Sequence, residues 1–215
     1  MYVLKNKATM LLAGLACLML SVVANAGPIE YTSYKLKYGT SGAPTGTVTY
    51  PADPGTATTP RIYAGELTFN IQGGGTFDGF CIDLSTTLKS SGSYEVESAG
   101  GLDLNALGVL FEKFYSDSGM GKANSAAFQL AIWSIIYSES PDVIMSTFDP
   151  SVVQKAGDYL TGITGNKAKG LYAFSIYDAE GNQNMLTWKV PEPGTLALLG
   201  VGLLGAGMMR RRRAD

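Results

Sequence analysis

Apolar and polar positions alternate from Tyr31 to Tyr38 (YTSYKLKY), a period of two that predicts a strand. From Gly39 to Pro60 the chain turns to Gly, Thr, Pro and Ala, with only Thr47 to Tyr50 strand-like, which predicts a long exposed loop. Alternation returns from Ile62 to Ile71. Gly73-Gly74-Gly75 then turns the chain into a second strand from Thr76 to Thr86, with Phe80, Ile82 and Leu84 on one face and Cys81, Asp83 and Ser85 on the other. Tyr94 to Glu97 is a further short strand. The period then changes. Asp103 caps a helix carrying Leu107, Leu110, Phe111 and Phe114, and Asp149-Pro150 opens another that runs to about Thr161. Leu171 to Tyr177 and Met185 to Val190 close the pattern as a hairpin.

Between the two capped helices lies Lys122 to Glu139 (KANSAAFQLAIWSIIYSE), apolar almost all the way round. It predicts a buried helix with Asn124 or Ser125 as its N-cap. At about 100° per residue, Gln129 falls between Ile132, Trp133 and Ile136, away from Ser134 and Ser138. An unpaired amide buried there costs about 1–3 kcal/mol, so Gln129 requires a partner. Strands, then helices, then a hairpin predict an α+β fold over residues 27–189: a single domain of antiparallel strands, as a small sheet or barrel, with a helical block packed on it.

Both ends of the chain carry a different pattern. Lys5 and Lys7, an uncharged apolar run from Ala8 to Val23, and the small-x-small site Ala24-Asn25-Ala26 predict a signal peptide over 1–26, handled by the export machinery and cut by signal peptidase. Lipid attachment at Cys17 is disfavoured: the apolar run continues past it, and Gly14 stands where a larger aliphatic residue would be expected. At the other end, Pro191-Glu192-Pro193-Gly194 precedes the apolar segment Thr195 to Met209 and the cluster Arg210, Arg211, Arg212 and Arg213. As a helix the apolar segment reaches about 22 Å against a hydrocarbon core of about 30 Å, short for a permanent span. The arginines would stay cytoplasmic and leave the domain outside.

These three ordered elements over 190–215 resemble the PEP-CTERM sorting signal of Gram-negative bacteria. The resemblance implies a transient stay in the inner membrane, processing by an exosortase-like enzyme, and a final place on the cell surface or in an exopolysaccharide-rich matrix. A plain tail anchor is the alternative.

A net charge of −2 and the absence of a basic patch outside the tail argue against a nucleic-acid partner. The chain contains no histidine, which removes histidine-dependent hydrolase triads, histidine metal sites and Cys-His proteases. Gly119-Met120-Gly121-Lys122 lacks the upstream glycine of a phosphate-binding loop, and Ala123 replaces its Ser or Thr. No cofactor and no catalytic group is expected, and the acidic residues show no paired arrangement suited to glycoside hydrolysis. With the signal peptide removed, Cys81 is the one cysteine left, so no intramolecular disulfide can form.

Phe80-Cys81-Ile82-Asp83, followed by Phe128-Gln129-Leu130-Ala131-Ile132-Trp133, resembles the thioester domains of bacterial surface adhesins. The resemblance implies a covalent bond between Cys81 and Gln129 and an amine- or hydroxyl-bearing acceptor on a surface or polysaccharide. The family is best known from Gram-positive proteins with other sorting signals, so the Pro-Glu-Pro tail is a departure that bears on the acceptor. The chemistry is consistent: a thiolate attacks the side-chain amide carbon and ammonia leaves, a step that needs positioning more than a strong base. Phe80, Phe128, Ile132 and Trp133 could keep water from the bond. Two readings stay open on the residues alone: this cross-link, or a buried inert cysteine with Gln129 bonded to a neighbouring backbone group or to Ser125.

Overall fold

The computed structural model describes residues 27–49, 62–116, 121–138, 144–146 and 148–191. The signal peptide with its cleavage residues Ala24 and Ala26 lies outside them, as do Glu192, Pro193, the apolar segment 195–209 and Arg210 to Arg213.

The strands are β1 (Ile29–Leu36), β2 (Thr45–Thr49), β3 (Ile62–Tyr63), β4 (Leu67–Ile71), β5 (Thr76–Cys81), β6 (Gly92–Ser98), β7 (Ile144–Ser146), β8 (Ala173–Asp178) and β9 (Met185–Lys189). Among the described residues three helices accompany them: α1 (Leu104–Phe114), α2 (Gly121–Ile136) and α3 (Pro150–Ile163). Six strands close a barrel in the order β1-β4-β5-β9-β8-β6, with β6 returning to β1 and every neighbouring pair antiparallel. A separate three-stranded sheet runs β3-β2-β7. The fold is α+β, as the change of hydrophobic period predicts.

Period-two alternation sorts the aromatic residues into two layers. Tyr31, Phe69, Phe77, Tyr94 and Tyr177 come from five different strands and meet ring to ring, Phe69 and Phe77 at 4.6 Å and Tyr31 and Tyr94 at 5.2 Å between centroids, so they fill the barrel. Phe80, Phe174 and Trp188 have the opposite parity and meet the helices, with Phe80 5.3 Å from Phe128 and Phe174 4.9 Å from Phe111. Each fixed aromatic pair adds roughly 0.5–1.5 kcal/mol beyond its area burial.

Local chemistry sets the helix starts. Asp103 accepts from Ala106 N at 2.9 Å, and Asp149 accepts from Ser151 N at 2.8 Å just ahead of Pro150. α2 lies in the middle of the helical layer, and ten of its residues from Ser125 to Ile135 are buried. Among the described residues no helix is long and apolar enough to cross a membrane.

Several boundaries differ from the expectation. Ile62 to Ile71 is two strands in two sheets, broken at Gly65, whose φ of +142° is open to glycine and strained for other residues. The second hairpin strand ends at Cys81 instead of Thr86, because β4 stops at Leu67, opposite Gly79, and a helix side chain takes over the pairing. α2 begins at Gly121, upstream of Asn124 and Ser125, and Ser125 serves the barrel instead of capping the helix. β7 carries no clear alternation and was not expected; it pairs with β2 inside the stretch read as loop.

Candidate functional site

The site forms where the end of β5 meets one face of α2. Ile82 N bonds to Asn184 O at 3.0 Å, on the β9 side, so the alternation of the ladder turns the backbone groups of Cys81 the other way. Beyond the end of β4 they face α2 and meet Gln129. Cys81 N donates to Gln129 Oε1 at 3.1 Å, and Gln129 Nε2 donates to Cys81 O at 2.8 Å. A primary amide carries the same donor and acceptor as a peptide group, so Gln129 continues the ladder as one more strand residue would. Cys81 and Gln129 are 6% and 1% exposed, and the partner that Gln129 requires is the backbone of Cys81.

The neighbouring turns of α2 extend this seam at steps of four residues. Trp133 Nε1 donates to the same Cys81 O at 2.9 Å. Tyr137 donates to Ile82 O at 3.0 Å and accepts from Leu84 N at 3.2 Å. Ser125 Oγ accepts from Glu66 N at 2.8 Å. Ser125, Gln129, Trp133 and Tyr137 thus fall on one ridge and fasten the backbone from Glu66 to Leu84. Ser125 and Tyr137 were not anticipated as members of the site. The signal was there as a four-residue spacing of groups able to hydrogen-bond within an apolar helix.

Burial pushes the Cys81 thiol well above the usual cysteine range, with backbone hydrogen bonding from Asp83 and the indole of Trp133 pulling back more weakly. The thiol is therefore protonated at neutral pH, and Cys81 Sγ donates to Asp83 O at 3.2 Å. The charge of the Asp83 carboxylate, whose Oδ1 accepts from Ser85 N at 2.8 Å, adds to the upward push on the thiol. Cys81 N aimed at Gln129 Oε1 stands where negative charge would develop if a nucleophile added to the amide carbon.

Phe80, Phe128, Ile132 and Trp133 are all buried, each at 1% exposure or less. Phe80 and Phe128 pack behind the site in the layer between barrel and helices, while Trp133 also lines a cavity of about 580 Å³ that reaches Cys81 and Gln129. Water is excluded on one side, and an opening is present on the other.

Behind the ridge, Glu66 is 1% exposed, and its Oε1 accepts from Lys37 at 3.0 Å and Tyr115 at 2.9 Å. Its Oε2 is buried without a hydrogen-bond partner. Burial raises the Glu66 carboxyl above its ordinary range, more than the donors Lys37 and Tyr115 lower it. Among the described residues no group of three or more Cys, Asp or Glu is arranged to hold a metal.

Residues 189–213 match the PEP-CTERM protein-sorting motif. Of the residues named in the tail, Pro191 is the one the structure describes, exposed just beyond β9. No curated protein matches the chain. Solved structures similar to it include the N-terminal domain of the Streptococcus pyogenes pilus tip adhesin Cpa, at 16% identity and a TM-score of 0.44 over 74% of this chain and 99% of that one. The N-terminal thioester domain of the Streptococcus pyogenes fibronectin-binding protein SfbI aligns at 16% identity and a TM-score of 0.40 over 67% of this chain and 92% of that one. The N-terminal thioester domain of a Clostridium perfringens surface protein aligns at 11% identity and a TM-score of 0.44 over 68% and 98%.

Proposed function

We propose that the chain is an exported surface protein, processed through its C-terminal PEP-CTERM motif by an exosortase-type enzyme, whose folded domain carries a thioester between Cys81 and Gln129. The observation that carries the reading is the reciprocal pairing of the Gln129 carboxamide with the backbone of Cys81, buried on one side and facing a cavity on the other. Cys81 Sγ adds to Cδ of Gln129, the negative charge on Oε1 is met by Cys81 N–H, the thiol proton passes to the departing nitrogen, and ammonia leaves. Trp133 holds the Cys81 carbonyl through the change. Phe80, Phe128, Ile132 and Trp133 protect the bond from water until an amine or hydroxyl on a surface or polysaccharide displaces the sulfur. Each molecule spends its bond once, so the protein is a coupling module and not an enzyme.

The test is the intact mass of the exported protein. It should be lighter by one ammonia than its processed sequence requires, and alkylating reagents should find no thiol under denaturing conditions. The full unmodified mass with a titratable thiol would overturn the reading.

A second reading has an observation of its own. Both polar atoms of Gln129 are hydrogen-bonded to Cys81, which suffices to explain a glutamine in an apolar helix. The protein would then be a non-covalent matrix component with an inert cysteine, and a Cys81→Ala chain would be retained at the surface as well as the parent.

A further inference from the structure

The cavity beside Cys81 and Gln129 has a lining that bears on what could enter it. Tyr34 from β1 and Tyr63 from β3 line it, 37% and 56% exposed. Ser85, Thr86 and Thr87, the turn just beyond Cys81, line it as well, with Ser85 Oγ donating to the Asp83 carboxylate. Among the described residues lining it there is no Asp or Glu, and Lys35 borders it on β1 between Tyr34 and Leu36. At about 580 Å³ the space suits a small organic ligand or a few sugar rings.

A lysine side chain would enter this cavity as a cation, since its ordinary pKa is about 10.4, and among the described lining residues it would find no carboxylate to offset its charge. A saccharide brings no charge, lays its C–H face on a tyrosine ring, and exchanges hydrogen bonds with Ser and Thr hydroxyls. Resting on the thioester reading, we propose that the acceptor is a neutral carbohydrate, seated on Tyr34 and Tyr63, whose hydroxyl takes the acyl group of Gln129.

In that step the hydroxyl oxygen bonds to Cδ of Gln129 and the C–S bond breaks. The hydroxyl proton moves to the sulfur, leaving an ester on Gln129 and a free thiol on Cys81. The chain has no histidine to carry the proton. A buried sulfur that favours its protonated form is suited to receive it.

The experiment uses the exported full chain, maltotriose and cellotriose as neutral saccharides, and Nα-acetyl-lysine amide as the amine. Mass analysis of the Gln129 peptide should show a saccharide ester and little lysine adduct at equal concentration. Tyr63→Ala should lower the saccharide adduct about tenfold, and Tyr63→Phe should restore it. A dominant lysine adduct, or saccharide transfer indifferent to Tyr63→Ala, would overturn the proposal. Saturation-transfer NMR of both trisaccharides with the Cys81→Ala chain reads the seat without any acyl bond. Signal that Tyr63→Ala abolishes supports the seat, and no signal overturns it, while a full chain that never loses ammonia refutes the thioester separately.

Discussion

Gln129 and Cys81 stand to each other as two residues of adjacent antiparallel strands do: each gives one hydrogen bond and receives one, at 2.8 and 3.1 Å, although one of them is a helix side chain. The pairing anchors α2 to the barrel and brings a carboxamide and a thiol-bearing residue together. The two roles can be separated by mutation, because the structural role uses the backbone of Cys81 and the chemical role uses its sulfur.

Cys81→Ala therefore leaves both hydrogen bonds in place, whereas Gln129→Ala leaves the buried N–H of residue 81 without its acceptor and its C=O with Trp133 alone. Both variants should abolish the proposed cross-link. Gln129→Ala should nonetheless lose about 1–3 kcal/mol more stability in urea unfolding than Cys81→Ala. Equal losses would mean that the ladder-like pairing contributes little.

Trp133→Phe keeps most of the aromatic volume and removes the N–H that holds Cys81 O. It should cost about 1 kcal/mol of stability and lower the fraction of molecules that lose ammonia. Tyr137→Phe frees Ile82 O and Leu84 N from their shared hydroxyl. Amide exchange at Leu84 should speed up in Tyr137→Phe and stay at the parent rate in Trp133→Phe.

Gly65→Ala acts at the first step of the same ridge. A Cβ there would lie 3.2 Å from Ser125 Oγ, on a backbone at φ +142° that resists a side chain. The hydroxyl that serves Glu66 N must give way, and a loss of about 1–3 kcal/mol is expected. Ser125→Ala removes only the acceptor and should cost less, near 1 kcal/mol, in the same unfolding assay.

The boundaries of the elements show which parts of this arrangement a sequence can convey. Alternation along Tyr31 to Tyr38, and the caps Asp103 and Asp149, are local signals, and they reappear as β1, α1 and α3. Gln129 was legible as an anomaly because an amide among Ile132, Trp133 and Ile136 conflicts with its surroundings. Its partner followed from a motif resemblance, and the mode of pairing did not: β4 ends two positions short of Cys81 for reasons of long-range register that period-two alternation does not encode. Ser125 and Tyr137 were hidden by their chemistry, since a hydroxyl suits a cap, a surface or a buried bond equally well. Barrel closure depends on β9 lying between β5 and β8, a pairing across about a hundred residues of chain.

Glu66 supplies a pH-dependent test. Its folded-state carboxyl is raised above the ordinary 4.5, chiefly by burial, with Lys37 and Tyr115 as its donors and Asp78 as the neighbouring carboxylate. A raised acid contributes stability that is full below pH 4.5 and is lost as pH rises through the folded value. Glu66→Gln keeps an acceptor for Tyr115 and removes the titration. Its unfolding free energy should fall less steeply than the parent's from pH 4.5 upward, by about 1.4 kcal/mol for each unit of displacement. Parallel curves would show that Glu66 does not titrate differently in the folded state.

The proposed covalent bond is tested most directly by digesting the exported protein under mildly acidic conditions and sequencing its peptides by mass spectrometry. The account predicts one species in which the peptide bearing Cys81 is joined to the peptide bearing Gln129, short of their summed mass by one ammonia, and absent from Cys81→Ala. Two separate peptides, with an alkylated Cys81 and an intact Gln129 amide, would contradict it.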